Sequence, residues 1–145
     1  MIVVDANVAV KWFLAEKHSD RAFEILASGS QLLAPDLVRI EVTSAIVRAF
    51  RDERISEAVA RSAHGDWSRM LAEQLIEMRD IESIYDRAVE IAFAIKHPLA
   101  DCLYVAVAEA VEAMLVTNDE PLRDRSIGLY PRIQLLSEIE LPGMA

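Results

Sequence analysis

The sequence predicts an α/β fold, a parallel sheet covered by helices on both faces. Two observations carry that reading. Short apolar runs at 2–4, 32–34 and 113–117 alternate with longer stretches of helical periodicity. The first run is continuously apolar rather than alternating, as in a strand buried on both sides. No repeat, low-complexity tract or linker interrupts the pattern, so residues 1–145 are expected to form one domain.

Residues 2–4 form a first strand that ends at Asp5. The next stretch, 8–15, is compatible with a helix that Asn7 can cap. Ser19-Asp20 opens a second helix with Ala22, Phe23, Ile25, Leu26 and Ala27 on its apolar side, and Gly29 ends it. Residues 32–34 are the next strand. Pro35-Asp36 then starts a helix running to about Arg51, with Leu37, Ile40, Ser44, Val47 and Arg51 along one stripe and Glu41 beside it. Ser56 begins another helix, which Gly65 is expected to weaken and split.

Residues 75–78 read either as the end of that helix or as a short edge strand. From 82 to 96, Ile84, Ala88, Ile91, Ala92 and Ile95 recur at helical spacing until His97-Pro98 stops them. Residues 101–112 are helical through Tyr104, Val105, Ala108 and Val111. A strand at 113–117 runs into Asn118-Asp119, and 133–136 is a last, weak strand. Pro142 and Gly143 fall in a tail expected to fray.

Composition narrows the function. With 53% apolar residues and a mean hydropathy of +0.20, the chain is not disordered. At 145 residues it can bury about two-thirds of its unfolded surface. Acidic residues outnumber basic ones 24 to 15, for a net charge of −9, which excludes a simple polybasic nucleic-acid binder. The single cysteine, Cys102, forms no internal disulfide and fits a reducing compartment. Together with histidines at 18, 64 and 97 it makes no zinc cluster. Nothing approaches the roughly 18 apolar residues of a membrane span, and no basic region precedes the first apolar run. A soluble cytoplasmic protein without a membrane partner is the expectation.

Four acids stand where chemistry gathers. Ligands bind beyond the carboxyl ends of parallel strands. Asp5 ends the first strand, and Asp119 lies just past the strand that closes at Thr117. Glu41 and Asp101 sit in otherwise apolar helical surroundings. If both helix starts point to the same sheet edge, all four converge. Each also has a simpler reading: Asp5 and Asp119 as turn or capping residues, Glu41 as a solvent-facing residue, Asp101 as a helix cap. Carboxylates pressed together repel, and a proton or a divalent cation must relieve them. Mg2+, or Mn2+, suits hard oxygen ligands, whereas zinc would want histidine or cysteine.

The motifs around these acids resemble those of the PIN-domain ribonucleases, and within them the VapC-like toxins of toxin–antitoxin pairs. Ile2-Val3-Val4-Asp5-Ala6-Asn7 is similar to the family's opening strand and first aspartate. The helix after Ala34-Pro35-Asp36-Leu37 resembles the one carrying the conserved glutamate, matched by Glu41. Leu99-Ala100-Asp101-Cys102-Leu103-Tyr104 resembles the third motif, and Leu115-Val116-Thr117-Asn118-Asp119 the fourth. The resemblance spans essentially the whole chain.

It implies a three-layer α/β/α fold with a central parallel sheet of four or five strands. It further implies Mg2+- or Mn2+-dependent cleavage of RNA, a homodimer, and a cognate antitoxin that occludes the acidic site. Asp5, Glu41 and Asp101 would hold the main ion. Asp119 would hold a second or orient its water, and the hydrolysis needs no protein nucleophile. Asn7 and Thr117 are supporting candidates, Asn7 through its amide and Thr117 by orienting Asp119 or a water.

RNA needs a local basic surface. Residues 39–69 hold six arginines and five acids, a net +1 against −9 for the whole. Arg48, Arg51 and Arg54 are spaced to flank one groove, and Lys11 is a further candidate. An ordinary solvated helix surface laced with ion pairs is the simpler account of these charges. Trp12 and Phe13 are expected in core or interface packing, Trp67 at an interface or exposed, His97 as a loop residue and Cys102 buried. Two other functions compete with the nuclease: a non-cleaving RNA- or protein-binding module of the same fold, and a magnesium phosphatase of the haloacid dehalogenase type. The second lacks the paired acid that Asp5-Ala6-Asn7 would need.

Overall fold

The computed structural model describes residues 1–141, so the tail at Pro142 and Gly143 lies outside the described residues. Five strands, β1 (Ile2–Val4), β2 (Leu32–Pro35), β3 (Glu77–Arg79), β4 (Met114–Thr117) and β5 (Ile133–Leu135), form one sheet in the order β3-β2-β1-β4-β5. All four pairings are parallel, with Val3 opposite Leu33 on one side and Leu115 on the other. The ambiguous stretch 75–78 therefore resolves as an edge strand. Helices on the two faces complete a three-layer α/β/α sandwich.

The helices are α1 (Ala6–Ala9), α2 (Ser19–Ala27), α3 (Val38–Arg51), α4 (Glu57–Ala72), α5 (Tyr85–Ile95), α6 (Leu99–Val111) and α7 (Glu120–Ser126). The most apolar of them, α6, buries every residue from Cys102 to Ala108 and packs on β1, β2 and β4. Its neighbour α5 packs against it, and α3 pairs with α4. No single helix among the described residues is long and apolar enough to cross a membrane.

Strand order fixes where ligands gather. From β1 the chain moves outward to β2 and β3, then crosses back to β4 on the other flank of β1. The crevice between the carboxyl ends of β1 and β4 is thus a topological switch point, the usual binding position of such sheets. Asp5 follows β1 directly, and Asn118 and Asp119 follow β4.

Several local expectations give way. The helix expected at 8–15 is one turn, α1, continued by a 3₁₀ turn at Val10–Trp12. Its cap is Asp5 rather than Asn7, because the Asp5 side chain accepts from the Asn7 backbone N–H. On α3 the buried face is Val38, Val42, Ile46 and Ala49, not the Leu37–Arg51 stripe; Ile40 and Val47 of that stripe are exposed. Gly65 does not split α4, since it lies on the exposed side of a helix anchored by Ala63, Trp67 and Leu71. Trp67 is core, not interface: it is 1% exposed, donates its indole N–H to the Arg39 carbonyl at 3.3 Å, and meets the Phe13 ring edge-on at 5.7 Å. Trp12 is buried and donates to the Ala22 carbonyl at 2.8 Å. At the turn after α2, Gly29 takes φ +74°, a conformation that strains other residues.

Candidate metal centre

β1 delivers Asp5 to the switch point as a 3% exposed carboxylate. Its Oδ2 accepts the Thr117 hydroxyl at 2.8 Å and the Asn7 side-chain amide at 3.3 Å, and its Oδ1 accepts the Asn7 backbone N–H at 3.4 Å. Thr117, fully buried at the end of β4, also accepts the Asp119 N–H at 3.0 Å. Asn7 spans the gap between the strands: its Nδ2 lies 3.5 Å from Thr117 Oγ1, and its Oδ1 accepts the Asn118 N–H at 2.9 Å. The two expected supporting residues thus lock the ends of β1 and β4 around Asp5.

Glu41 enters from the first turn of α3 and Asp101 from the first turn of α6. Asp101 is the third residue of α6, inside the helix rather than at its cap. Asp5, Glu41 and Asp101 line one cleft of about 350 Å³ together with Asn7 and Asn118. Their charges act on one another. Burial pushes the Asp5 carboxyl up to about 7; the Thr117 hydrogen bond opposes this, while the charges of Asp101 and Glu41 add to it. Burial also raises the Glu41 carboxyl, and Asp101 raises it further against the hydrogen bond from Tyr104. Asp5 and Glu41, both made harder to ionise by burial and by the nearby Asp101 charge, form with Asp101 a cleft whose crowded negative charge a divalent cation relieves.

Asp119 stands beside the cleft rather than on its wall. It serves as the N-cap of α7, its Oδ1 accepting the Leu122 N–H at 3.1 Å. The other oxygen, Oδ2, is 3.7 Å from His97 Nε2, and that nitrogen is 2.8 Å from Asp101 Oδ2. His97, Asp101 and Asp119 each present a ligand atom within 4.8 Å of the others, a cluster able to hold a divalent ion. Asp101 belongs to both groups and joins the Asp5–Glu41 cleft to Asp119.

Two of the participants were not anticipated as such. Tyr104 is fully buried and donates its hydroxyl to Glu41 Oε1 at 2.6 Å; it comes three residues after Asp101, so the two share a helix face. His97, expected as an ordinary loop residue, has a side chain only 5% exposed and bonded to Asp101. The available signal was His-Pro two residues ahead of Ala100-Asp101, which sets a histidine just outside a helix whose first turn carries an acid.

Among the expected cations, Arg48 and Arg54 are exposed and line the cleft. Arg51 lines the neighbouring groove on the outer side of α3, with Arg39 and Val47. Lys11 also lines the cleft but is 4% exposed, and its ammonium donates to the Lys17 carbonyl at 2.8 Å. Cys102 is buried, as expected.

Comparison with known proteins identifies the family and the fold. The family model described as PIN domain matches residues 2–127. VapC ribonuclease Mb0985 of Mycobacterium bovis is 32% identical over 124 residues, which covers 86% of this chain and 90% of the relative. Ribonuclease VapC9 of Mycobacterium tuberculosis matches to the same extent. Among solved structures, a toxin-antitoxin complex from Klebsiella pneumoniae shares the fold, with a TM-score of 0.65 and 19% identity over 96% of this chain and 100% of that one. With the switch-point carboxylates in this setting, the chain belongs to the PIN-domain family and, within it, to the VapC-like ribonucleases of toxin–antitoxin systems.

Proposed function

We propose that this chain is a divalent-metal-dependent endoribonuclease that hydrolyses RNA phosphodiester bonds and acts as the toxin of a toxin–antitoxin pair. The observation that carries this reading is the shared cleft of Asp5, Glu41 and Asp101, whose negative charges oppose one another. The donors in that cleft are hard carboxylate oxygens, which fits Mg2+ or Mn2+. Asp5, Glu41 and Asp101 would hold the main ion, and Asp119 would hold a second or orient a water. When bound, the ion supplies Lewis-acid polarisation of the phosphate and activation of water.

The chain's own residues set the conditions for that chemistry. Thr117 and Asn7 hold Asp5 at the strand end, and Tyr104 holds Glu41. Arg48 and Arg54 on the rim meet the RNA backbone, with Arg51 extending the basic surface and Lys11 bracing the cleft wall. Relatives named as VapC ribonucleases support the reaction, and the likeness to a chain of a toxin-antitoxin complex supports an antitoxin partner. Tyr85 and the 81% exposed Phe93 on α5 give a homodimer an apolar surface to cover.

The test is RNA cleavage by the purified chain. Cleavage is expected with Mg2+ or Mn2+ and should stop with EDTA. Asp101→Asn should abolish it while the circular dichroism spectrum stays unchanged. Wild-type cleavage by that variant, or cleavage that persists without metal, overturns the reading. RNA binding without cleavage in saturating Mg2+ favours the non-cleaving module instead.

A further inference from the structure

We infer that His97 is a positioning residue, held by Arg125 in the tautomer that carries its proton on Nε2, and that it aims the Asp101 carboxylate rather than ligating the metal itself. The inference rests on the metal-site reading and deepens it.

The geometry decides the tautomer from both sides of the ring. Arg125 Nη1 lies 3.0 Å from His97 Nδ1 and 3.2 Å from the Lys96 carbonyl oxygen. A guanidinium nitrogen only donates, and Nη1 has two hydrogens, one for each of these acceptors. Nδ1 therefore offers its lone pair to Arg125, and in the singly protonated ring the proton sits on Nε2. On the opposite side, Nε2 faces Asp101 Oδ2 at 2.8 Å, and an ionised carboxylate only accepts. Both neighbours ask for the same tautomer. With Nδ1 engaged and Nε2 protonated, neither nitrogen has a lone pair for a metal. The nearness of His97, Asp101 and Asp119 then reflects a hydrogen bond behind the site, and the ligands that remain are oxygens.

The backbone is built to hold this ring. Lys96 ends α5 in the left-handed conformation (φ 54°), Pro98 caps α6, and the imidazole between them is 5% exposed. The exposed Arg125 reaches it from the last turn of α7, while Asp119 at the other end of the same helix faces Nε2 at 3.7 Å. Partners that orient ligating carboxylates in this way are worth about 10–100-fold in metal affinity.

The experiment pairs ring NMR with Mg2+ calorimetry on the full chain. Long-range 1H–15N spectra of the metal-free protein should show a protonated Nε2 and a pyridine-type Nδ1 for His97, and saturating Mg2+ should leave that pattern in place. Arg125→Leu, a surface change, should move the Nδ1 resonance. His97→Ala should weaken Mg2+ binding by about 10-fold or more, and His97→Gln, which keeps a donor toward Asp101, should restore it to within about 3-fold. A proton on Nδ1, an Nδ1 resonance indifferent to Arg125→Leu, or wild-type Mg2+ affinity in His97→Ala overturns the inference. The readouts need no RNA. A wild type that binds Mg2+ in this way yet cuts nothing removes the nuclease reading and leaves the positioning role standing; a wild type that binds no Mg2+ removes both.

Discussion

Tyr104 of α6 and Glu41 of α3 meet at 2.6 Å, a phenol donating to the one acid of the cleft that comes from α3. The phenol lies in the core, where burial and the neighbouring charges of Asp5 and Glu41 hold it protonated well above the ordinary tyrosine range. It is therefore a permanent donor to Glu41. Removing it takes away the contact that favours the ionised carboxylate. Tyr104→Phe preserves the ring and is expected to cost about 1–2 kcal/mol of stability, the usual worth of such a hydrogen bond. It should also weaken Mg2+ binding, and more so at lower pH, because Glu41 will hold its proton longer. Calorimetric Mg2+ titrations at two pH values check this; an affinity ratio to wild type that does not change with pH counts against Tyr104 acting through Glu41.

Asp5 makes the metal-free fold sensitive to pH in a direction opposite to ordinary acid denaturation. Its carboxyl is pushed up to about 7 by burial, from 3.8. Between those values the folded chain holds a proton that the unfolded chain has released. Stability from this group is therefore fully present at low pH and is lost as pH rises through about 7, at up to about 1.4 kcal/mol per pH unit. Asp5→Asn removes the titration. In EDTA, urea denaturation should show the variant gaining on wild type between pH 5 and pH 8. Parallel stability curves for the two proteins would mean that Asp5 is not held protonated.

The place of Asp5 and Asp119 at strand carboxyl ends was legible, because the apolar runs at 2–4 and 113–117 mark strands that lead into them; the strand order that makes this place a switch point was not. The face of α3 was not legible. Ile40, Val47 and Phe50 are as apolar as Val38, Val42 and Ile46, and only packing against α4, α1 and the 3₁₀ turn at Val10–Trp12 decides which set is buried. Trp67 misled through its polar neighbours Asp66 and Ser68, although Ala63, Trp67 and Leu71 at four-residue spacing carried the core signal. His97 and Tyr104 escaped for another reason. Each acts through a hydrogen bond to a residue on a different turn or helix, and the Arg125 partner lies 28 residues away along the chain. Spacing sets His97 and Tyr104 near Asp101, but it carries no trace of the long-range partners Arg125 and Glu41.

A divalent ion should stabilise the fold most where Asp5 is ionised. Metal and proton compete for the same oxygens, so the rise in melting temperature on adding Mg2+ should be larger at pH 8 than at pH 6. At 100 times its dissociation constant, a ligand of the folded state contributes about 2.7 kcal/mol. Asp101→Asn removes the acid shared by the cleft and the Asp119 side, and most of that gain should vanish with it. Differential scanning fluorimetry of both proteins with and without Mg2+ measures the effect. An equal rise in the two proteins would place the ion elsewhere.

Arg48 and Arg54 are expected to decide whether an acidic protein can hold RNA. Both are exposed on the rim of the carboxylate cleft, with Arg48 also reaching the next groove along α3, which is the only one of the two that Arg51 lines. Phosphate contacts release counterions, so each arginine that touches the backbone of single-stranded RNA contributes about −0.7 to the slope of log affinity against log salt. Double substitution of Arg48 and Arg54 by glutamate should weaken binding of RNA to the cleavage-dead Asp101→Asn protein by at least about 10-fold, and should flatten that slope by at least about 1.4. Arg51→Glu alone should have the smaller effect, because its charge reaches the cleft only from the adjoining groove. Fluorescence anisotropy at several salt concentrations reads both quantities. If the Arg51 change costs more than the double change, the RNA runs along the outer groove of α3 and enters the cleft from that side.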